Sequence, residues 1–181
     1  MSRFEEKQIS REEIFDGAVL HVVKDTVLLP DGNTSFREFC LHKGAVAVIP
    51  VTDDNEVILV RQFRYAHHRE FLEIPAGKFD FIGENPLAAA KRELEEETGA
   101  RAERYVDLGI LDTTPALIDE KIHMFLAEGL SFGESHPDED EFLAVERIPL
   151  AKLVDMVMQG EIRDAKTQIA ILKAARIRNI H

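Results

Sequence analysis

The sequence is poor in cysteine, tryptophan and basic residues, and it lacks a long apolar run. The single cysteine, Cys40, supports neither a disulfide framework nor a zinc site, so we expect it to be a buried or half-buried strand residue. No apolar stretch approaches the ~20 residues of a membrane helix. The first ten residues are charged rather than typical of a signal peptide. These absences predict a cytoplasmic protein without membrane contacts.

Acidic residues dominate the charged positions. The chain of 181 residues carries 22 Lys plus Arg against 34 Asp plus Glu, a net charge of −12. Nucleic acid favours a basic partner, so we do not expect it to bind here. A small anionic substrate would also be repelled unless a metal ion reversed the local field. The length suits one substantial core with a small appended element.

A helix is predicted over residues 86–98, because start and stop signals flank a run of good helix formers. Asn85 suits the N-cap, and Pro86 suits the first helical position, where no backbone donor is needed. Gly99 supplies the stop, since glycine readily adopts the left-handed conformation that follows a last turn.

At about 100° per residue, three carboxylates lie on one side of this helix: Glu93, Glu96 and Glu97. An apolar stripe adjoins them, and we expect it to face the core: Leu87, Ala90 and Leu94. Like charges at this spacing repel one another, whereas Mg²⁺ prefers such oxygen ligands. Arg92 is expected to orient Glu96 by a bidentate contact. The pattern favours a metal site; a solvated, salt-bridged helix face is the alternative reading of these residues alone.

The segment 77–100 resembles the Nudix box, the signature of hydrolases that cleave nucleoside diphosphates linked to another group. Glu84 is followed by seven residues and then by the sequence RELEEETG. Six residues rather than the usual five separate Gly77 from Glu84, and Ala100 stands where a larger aliphatic residue is usual. Neither departure changes the spacing of the carboxylates along the helix.

Residues 37–173 as a whole resemble the ADP-ribose pyrophosphatase branch of the Nudix superfamily. The matching stretches are GAVAVIPVTDD, LVRQFRYA, LEIPAGK, PDEDEF and GEIRDAKT. The resemblance implies an α+β fold, an α/β/α sandwich of the Nudix type, with a small N-terminal antiparallel β-sheet. It also implies two parts: residues 1–42 as a β element exchanged across a homodimer, and residues 43–181 as the hydrolase domain.

Local patterns agree with this fold. Alternating residues predict a two-stranded hairpin of residues 18–29 and 35–41 around a turn at 30–33. Such a hairpin is marginal alone, so we expect it to pack on its own domain or on a partner subunit. Further strands are predicted at 45–51, 56–63, 105–111, 121–127 and 142–147, and helices at 150–159 and 165–178, the last capped by Asp164.

The resemblance also implies a metal site. The implied ligands are the backbone carbonyl of Ala76 and the carboxylates of Glu84, Glu93, Glu96 and Glu97. Two or three Mg²⁺ ions, with Mn²⁺ as an alternative, would neutralise the pyrophosphate and activate a water molecule. For Glu84, an acid that stabilises the helix N-terminus is an equal alternative.

The implied catalytic group contains Arg92 and one acid from the loop 137–141, with Glu139 as the first candidate and Glu141 as the second. A solvated charge run is the alternative for this loop. Substrate contacts are implied for four residues: Arg61, Arg64, Pro115 and Glu120. Arg64 suits a phosphate or a ribose as a rigid bidentate donor, whereas Arg61 also suits a plain surface charge.

The function implied by the resemblance is Mg²⁺-dependent hydrolysis of ADP-ribose to AMP and ribose 5-phosphate. The nearest alternative is the same reaction on another nucleoside diphosphate sugar, such as GDP-mannose. A non-catalytic ligand-sensing domain is an alternative from a different class, since Nudix-like folds also occur in regulators. The intact glutamates of the box and the absence of a basic segment after it argue against this alternative.

Overall fold

A computed structural model describes residues 2–136 and 142–180, and over these residues the chain forms ten strands and three α-helices. The strands are β1 (Lys7–Asp16), β2 (His21–Leu28), β3 (Thr34–Leu41), β4 (Ala45–Pro50), β5 (Glu56–Arg64), β6 (Arg69–Glu73), β7 (Ala76–Lys78), β8 (Ala100–Asp112), β9 (Lys121–Phe132) and β10 (Ala144–Pro149). The helices are α1 (Pro86–Thr98), α2 (Leu150–Met158) and α3 (Ala165–Ile177). The α+β prediction is confirmed.

The chain divides into two compact units, and the first contains residues 1–43 and 112–121. Its sheet has the order β1-β2-β3, and both pairs are antiparallel. The predicted two-stranded hairpin is therefore wrong in strand number, because the charged segment Lys7–Asp16 adds a third strand. Cys40 lies in β3 and is half-buried, as expected. Its backbone amide donates to the Leu117 carbonyl at 2.8 Å, which holds segment 112–121 against this sheet.

The second unit contains residues 44–111 and 122–181 and has two sheets. The first has the order β7-β4-β9-β8, with β4 antiparallel to β7 and parallel to β9. The second has the order β10-β5-β6 and is antiparallel. The short strands β6 and β7 lie on either side of Ile74 and Pro75. The sequence analysis does not predict them, because they are only five and three residues long.

Strand β4 lies at the centre of the second unit, and all six of its residues are buried. A strand covered on both faces reads as a continuous apolar run, which explains the sequence AVAVIP. One face packs in a cluster with α2 and α3 through Ala45, Ala47 and Ile49. The other packs in a cluster with α1 through Val46 and Val48. Helices on both faces of the sheet give the predicted α/β/α sandwich.

The described residues, 2–136 and 142–180, contain no helix that is both long and apolar enough to cross a membrane.

Candidate functional site

Helix α1 begins and ends where the sequence predicts. The side chain of Asn85 accepts a hydrogen bond from the Ala88 amide at 3.0 Å, and Pro86 is the first helical residue. Gly99 adopts the left-handed conformation with φ of 67°, and its amide donates to the Glu95 carbonyl at 2.8 Å. The cap and the stop confirm the prediction and fix the direction in which the carboxylates project.

The buried face of α1 differs from the predicted apolar stripe. Ala90 and Leu94 are buried as expected, but Leu87 is 37% exposed. The buried arc instead includes Ala89 and Glu97, and the Glu97 side chain is among the few charged ones that are almost fully covered. With Glu93 at zero, the buried residues of α1 span about −40° to +140°, which includes Leu87 at about +120°; Leu87 differs because it lies in the first turn, before the first buried residue, Ala89.

The Arg92 cluster is the centre of the candidate site. Atom Nη1 of Arg92 lies 2.7 Å from Glu93 Oε1 and 3.1 Å from Glu96 Oε2. Two more carboxylates lie slightly farther away, Asp80 at 3.5 Å and Glu84 at 3.6 Å. The predicted bidentate contact with Glu96 is wrong, because a single nitrogen is shared between Glu93 and Glu96. Burial acts to lower the pKa of Arg92, but the surrounding carboxylates, Glu93 first, raise it above its ordinary value.

Gly77 makes room for the Glu93 carboxylate. It lies in β7 opposite Val46, and a Cβ atom added there would overlap the carboxyl group of Glu93. The neighbouring Ala76, whose carbonyl is a predicted ligand, pairs with Ala47 in the same ladder. Glycine at position 77 therefore leaves the space beside β7 that the Glu93 carboxylate occupies.

Glu84 closes the loop that carries the extra residue. Its Oε2 atom accepts from the Asp80 amide at 2.8 Å, while Oε1 lies 3.6 Å from Arg92. Glu84 therefore lies near Arg92 although the loop between Gly77 and α1 is one residue longer than usual.

Over the described ranges, no three acidic, histidine or cysteine side chains form a ready-made metal cluster, and the guanidinium of Arg92 stands among the carboxylates instead. The side chains grouped there offer oxygen atoms alone, which suits a hard divalent cation such as Mg²⁺. Four carboxylates lie within 3.6 Å of this one guanidinium, and a bound cation would offset the repulsion among them. The residues at the site therefore fit the predicted metal.

Arg64, a predicted substrate contact, forms a bidentate ion pair with Glu73. Its Nε and Nη2 atoms donate to the two carboxylate oxygens at 2.8 Å each. Lys166 donates to the same carboxylate at 2.5 Å. Arg61 pairs with Glu146 across β5 and β10 at 2.5 Å. Sequence reasoning missed Glu73 and Lys166, although both lie in the matching stretches LEIPAGK and GEIRDAKT.

Pro115 and Glu120 belong to the first unit. Pro115 is exposed in a turn, in which the Leu117 amide donates to the Thr114 carbonyl at 2.8 Å. Glu120 accepts from the Thr113 hydroxyl at 2.9 Å and lies 3.7 Å from His42 Nε2. The side chain of Glu120 is thus held in place within its own unit.

Glu139 and Glu141, the candidate catalytic acids, lie outside the described residues. The chain just before them is anchored on the end of α1. The Gly133 amide donates to the Gly99 carbonyl at 2.8 Å, and the His136 amide donates to the Glu96 carbonyl at 2.9 Å.

Comparison with known proteins agrees with this architecture. An ADP-ribose pyrophosphatase from Bacillus subtilis is 45% identical over 173 residues, covering 94% of this chain and 93% of that protein. A methanol dehydrogenase activator from Bacillus methanolicus is 44% identical over 93% of this chain and 91% of that protein. A GDP-mannose pyrophosphatase from Cronobacter sakazakii is 32% identical over 76% of this chain and 75% of that protein.

A solved structure of an ADP compounds hydrolase superposes with a TM-score of 0.85 at 24% identity, covering 99% of this chain and 97% of that one. The model of the NUDIX domain matches residues 41–169. The chain therefore belongs to the Nudix family, and the predicted fold is confirmed.

Proposed function

We propose that the chain is a Nudix hydrolase that cleaves the pyrophosphate bond of ADP-ribose, giving AMP and ribose 5-phosphate. The observation that carries this proposal is the Arg92 cluster, which gathers the carboxylates of the box on one side of α1. Identity of 45% along nearly the whole length to an ADP-ribose pyrophosphatase supports the substrate.

Members of this family generally use divalent metal ions, and we assign Mg²⁺ to this site, with Mn²⁺ as an alternative and two or three ions in all. The residues that would hold them are the carbonyl of Ala76 and the carboxylates of Glu84, Glu93, Glu96 and Glu97. When bound, the ions supply charge neutralisation of the pyrophosphate and a lowered pKa for the attacking water.

The protein's own residues orient these groups. Arg92 holds Glu93 and Glu96 together through one nitrogen, and Gly77 lets the Glu93 carboxylate approach β7. Arg64 offers a fixed guanidinium to the anionic substrate, and Arg61, three residues earlier on the same strand, is the second proposed contact. Glu139, or Glu141 after it, accepts the proton of the attacking water. Pro115 and Glu120 are the remaining proposed substrate contacts.

Two relatives suggest further candidates. Similarity to the GDP-mannose pyrophosphatase supports hydrolysis of another nucleoside diphosphate sugar as the nearest alternative. The methanol dehydrogenase activator is as similar as the ADP-ribose pyrophosphatase, so stimulation of an alcohol dehydrogenase is a second candidate role. Adding the chain to a purified methanol dehydrogenase and measuring the rate of alcohol oxidation tests that role directly.

A substrate panel tests the main proposal. The purified chain is incubated with Mg²⁺ and ADP-ribose, GDP-mannose, UDP-glucose, NADH or diadenosine polyphosphates, and the nucleotide products are identified. We expect AMP from ADP-ribose, and no turnover after chelation of the metal. Turnover of another substrate with none of ADP-ribose would reject the substrate and keep the reaction class.

The homodimer with an exchanged N-terminal sheet and the cytoplasmic location stay predictions. A sedimentation measurement of molecular mass tests the first of them.

A further inference from the structure

A second charged cluster lies in the same unit, around Glu73 at the end of β6. The Glu73 cluster contains Glu73, Arg64, Lys166 and Asp164. The carboxylate of Glu73 is only 2% exposed, yet it accepts two bonds from Arg64 and one from Lys166. Burial raises the pKa of Glu73, but hydrogen bonds and the charges of its two partners lower it from 4.5 to about 2. Glu73 is therefore a permanent anion at any pH suitable for enzymatic assay.

The start of α3 fixes the position of Lys166. It lies 3.1 Å from Asp164, which is the N-cap of the helix and accepts from the Thr167 amide at 2.9 Å. The buried Thr167 hydroxyl in turn accepts from the Ile74 amide at 3.0 Å, one residue after Glu73. The helix cap and the strand end thus hold Lys166 and Glu73 in one arrangement.

Arg64 is the exposed member of this cluster. Its side chain is 43% exposed, against 12% for Lys166 and 2% for Glu73. A guanidinium has five N–H donors in one plane, and the pair with Glu73 uses the Nε edge and one proton of Nη2. The remaining three donors are the second proton of Nη2 and both protons of Nη1, so the outer edge between Nη1 and Nη2 is left. That edge can offer two parallel bonds to phosphate oxygens while the pair with Glu73 stays intact.

We propose that Glu73 and Lys166 are positioning residues that fix the guanidinium plane of Arg64 for the phosphates of the substrate. Glu73 sets the orientation of the plane. Lys166 neutralises part of the charge on Glu73, so that the positive charge of Arg64 remains available for an anion. This inference rests on the proposed hydrolysis of a nucleoside diphosphate sugar.

Lys166→Met tests the proposal against a matched lysine on the same helix. Lys173 lies seven residues later and donates to the Leu108 carbonyl at 2.5 Å, outside the cluster. We expect Lys166→Met to raise KM roughly tenfold with a small change in kcat, because binding of the phosphates is weakened. Lys173→Met should leave KM within twofold of the wild-type value. Lys166→Arg, which keeps the charge, should restore much of the loss.

A double-mutant cycle separates positioning from general support of the fold. If Lys166 acts through Arg64, Lys166→Met should cause no further rise in KM in the Arg64→Ala background. Independent effects that multiply would overturn the proposal, as would an unchanged KM in Lys166→Met. If Lys166→Met does not fold, Glu73→Gln and Lys166→Arg are compared with Arg64→Ala in the same cycle.

The substrate for these measurements is the compound that the wild-type chain turns over in the panel. An unchanged KM in the variants then rejects the positioning role and leaves the proposed function standing. If the wild type turns over no compound, the proposed function fails. Dissociation constants for ADP-ribose, measured by calorimetry, then replace KM in the same cycle, and equal values for wild type and Lys166→Met reject the inference separately.

Discussion

The Arg92 cluster and the Glu73 cluster are both built from carboxylates and basic side chains, but they differ in charge balance. Around Arg92 one guanidinium lies within 3.6 Å of four carboxylates, two from α1 and two from the loop before it. In the Glu73 cluster two cations face two carboxylates, and the charges cancel. We propose that a metal cation completes the first arrangement, whereas in the second the cationic and anionic side chains are equal in number. Charge balance, rather than the number of ion pairs, distinguishes the proposed metal site from the cluster that positions Arg64.

The largest expected effect comes from removing a carboxylate that is a proposed metal ligand. Glu97→Gln removes a buried anion from the face of α1 that carries the proposed metal ligands. We expect kcat to fall about 10³-fold, roughly 4 kcal/mol of transition-state stabilisation. The melting temperature should be unchanged or higher, because like-charge repulsion is relieved. Steady-state kinetics and thermal unfolding measure the two quantities.

Glu95→Gln is the matched control, since Glu95 lies on the same helix but pairs with Arg101 at 2.5 Å. Its kcat should stay within twofold of the wild-type value. Addition of Mg²⁺ should raise the melting temperature of the wild type more than that of Glu97→Gln. Wild-type activity in Glu97→Gln would contradict the metal assignment.

A substitution in the Glu73 cluster should lower the stability of the fold. Glu73→Gln leaves Arg64 and Lys166 without their shared anion, and we expect a loss of about 3 kcal/mol in the free energy of unfolding at pH 7. This value is at the lower end of the cost of breaking a buried ion pair, because Arg64 is half-exposed and water hydrates it once Glu73 is replaced. Urea unfolding measures the difference between wild type and variant.

The pH dependence of this difference has a defined sign. The pKa of Glu73 in the folded chain is lowered from 4.5 to about 2, so its stabilisation is complete above about pH 4.5. It is lost progressively as the pH falls toward 2. The difference in the free energy of unfolding between wild type and Glu73→Gln should therefore decrease as the pH is lowered from 6 to 3. A gap that stays constant over this range would show that the carboxylate is not stabilised by its two partners.

The two clusters also differ in how far the sequence predicts them. The Arg92 cluster is mostly local, because helical spacing brings Arg92, Glu93 and Glu96 together and capping signals fix the helix. The Glu73 cluster joins Glu73 to Lys166, which is 93 residues away in the chain, and no local period encodes that contact. The prediction for Leu87 fails for a related reason, since helical periodicity gives the side of α1 that is buried but not how far along the helix the packed sheet extends.

The smallest expected effect tests the backbone that supports the unbalanced cluster. Gly77→Ala places a methyl group where the Glu93 carboxylate lies, but that carboxylate is the end of a flexible side chain and moves aside. We expect roughly a tenfold loss of kcat, about 1.4 kcal/mol, with little change in melting temperature. Gly133→Ala is the control, because its nearest neighbour would be the Gly99 carbonyl oxygen at 3.8 Å. A stability loss in Gly77→Ala as large as that in Glu73→Gln would mean that β7 and α1 cannot adjust. Gly77 would then be part of the rigid support of the fold, like the Glu73 cluster, rather than part of the proposed metal site.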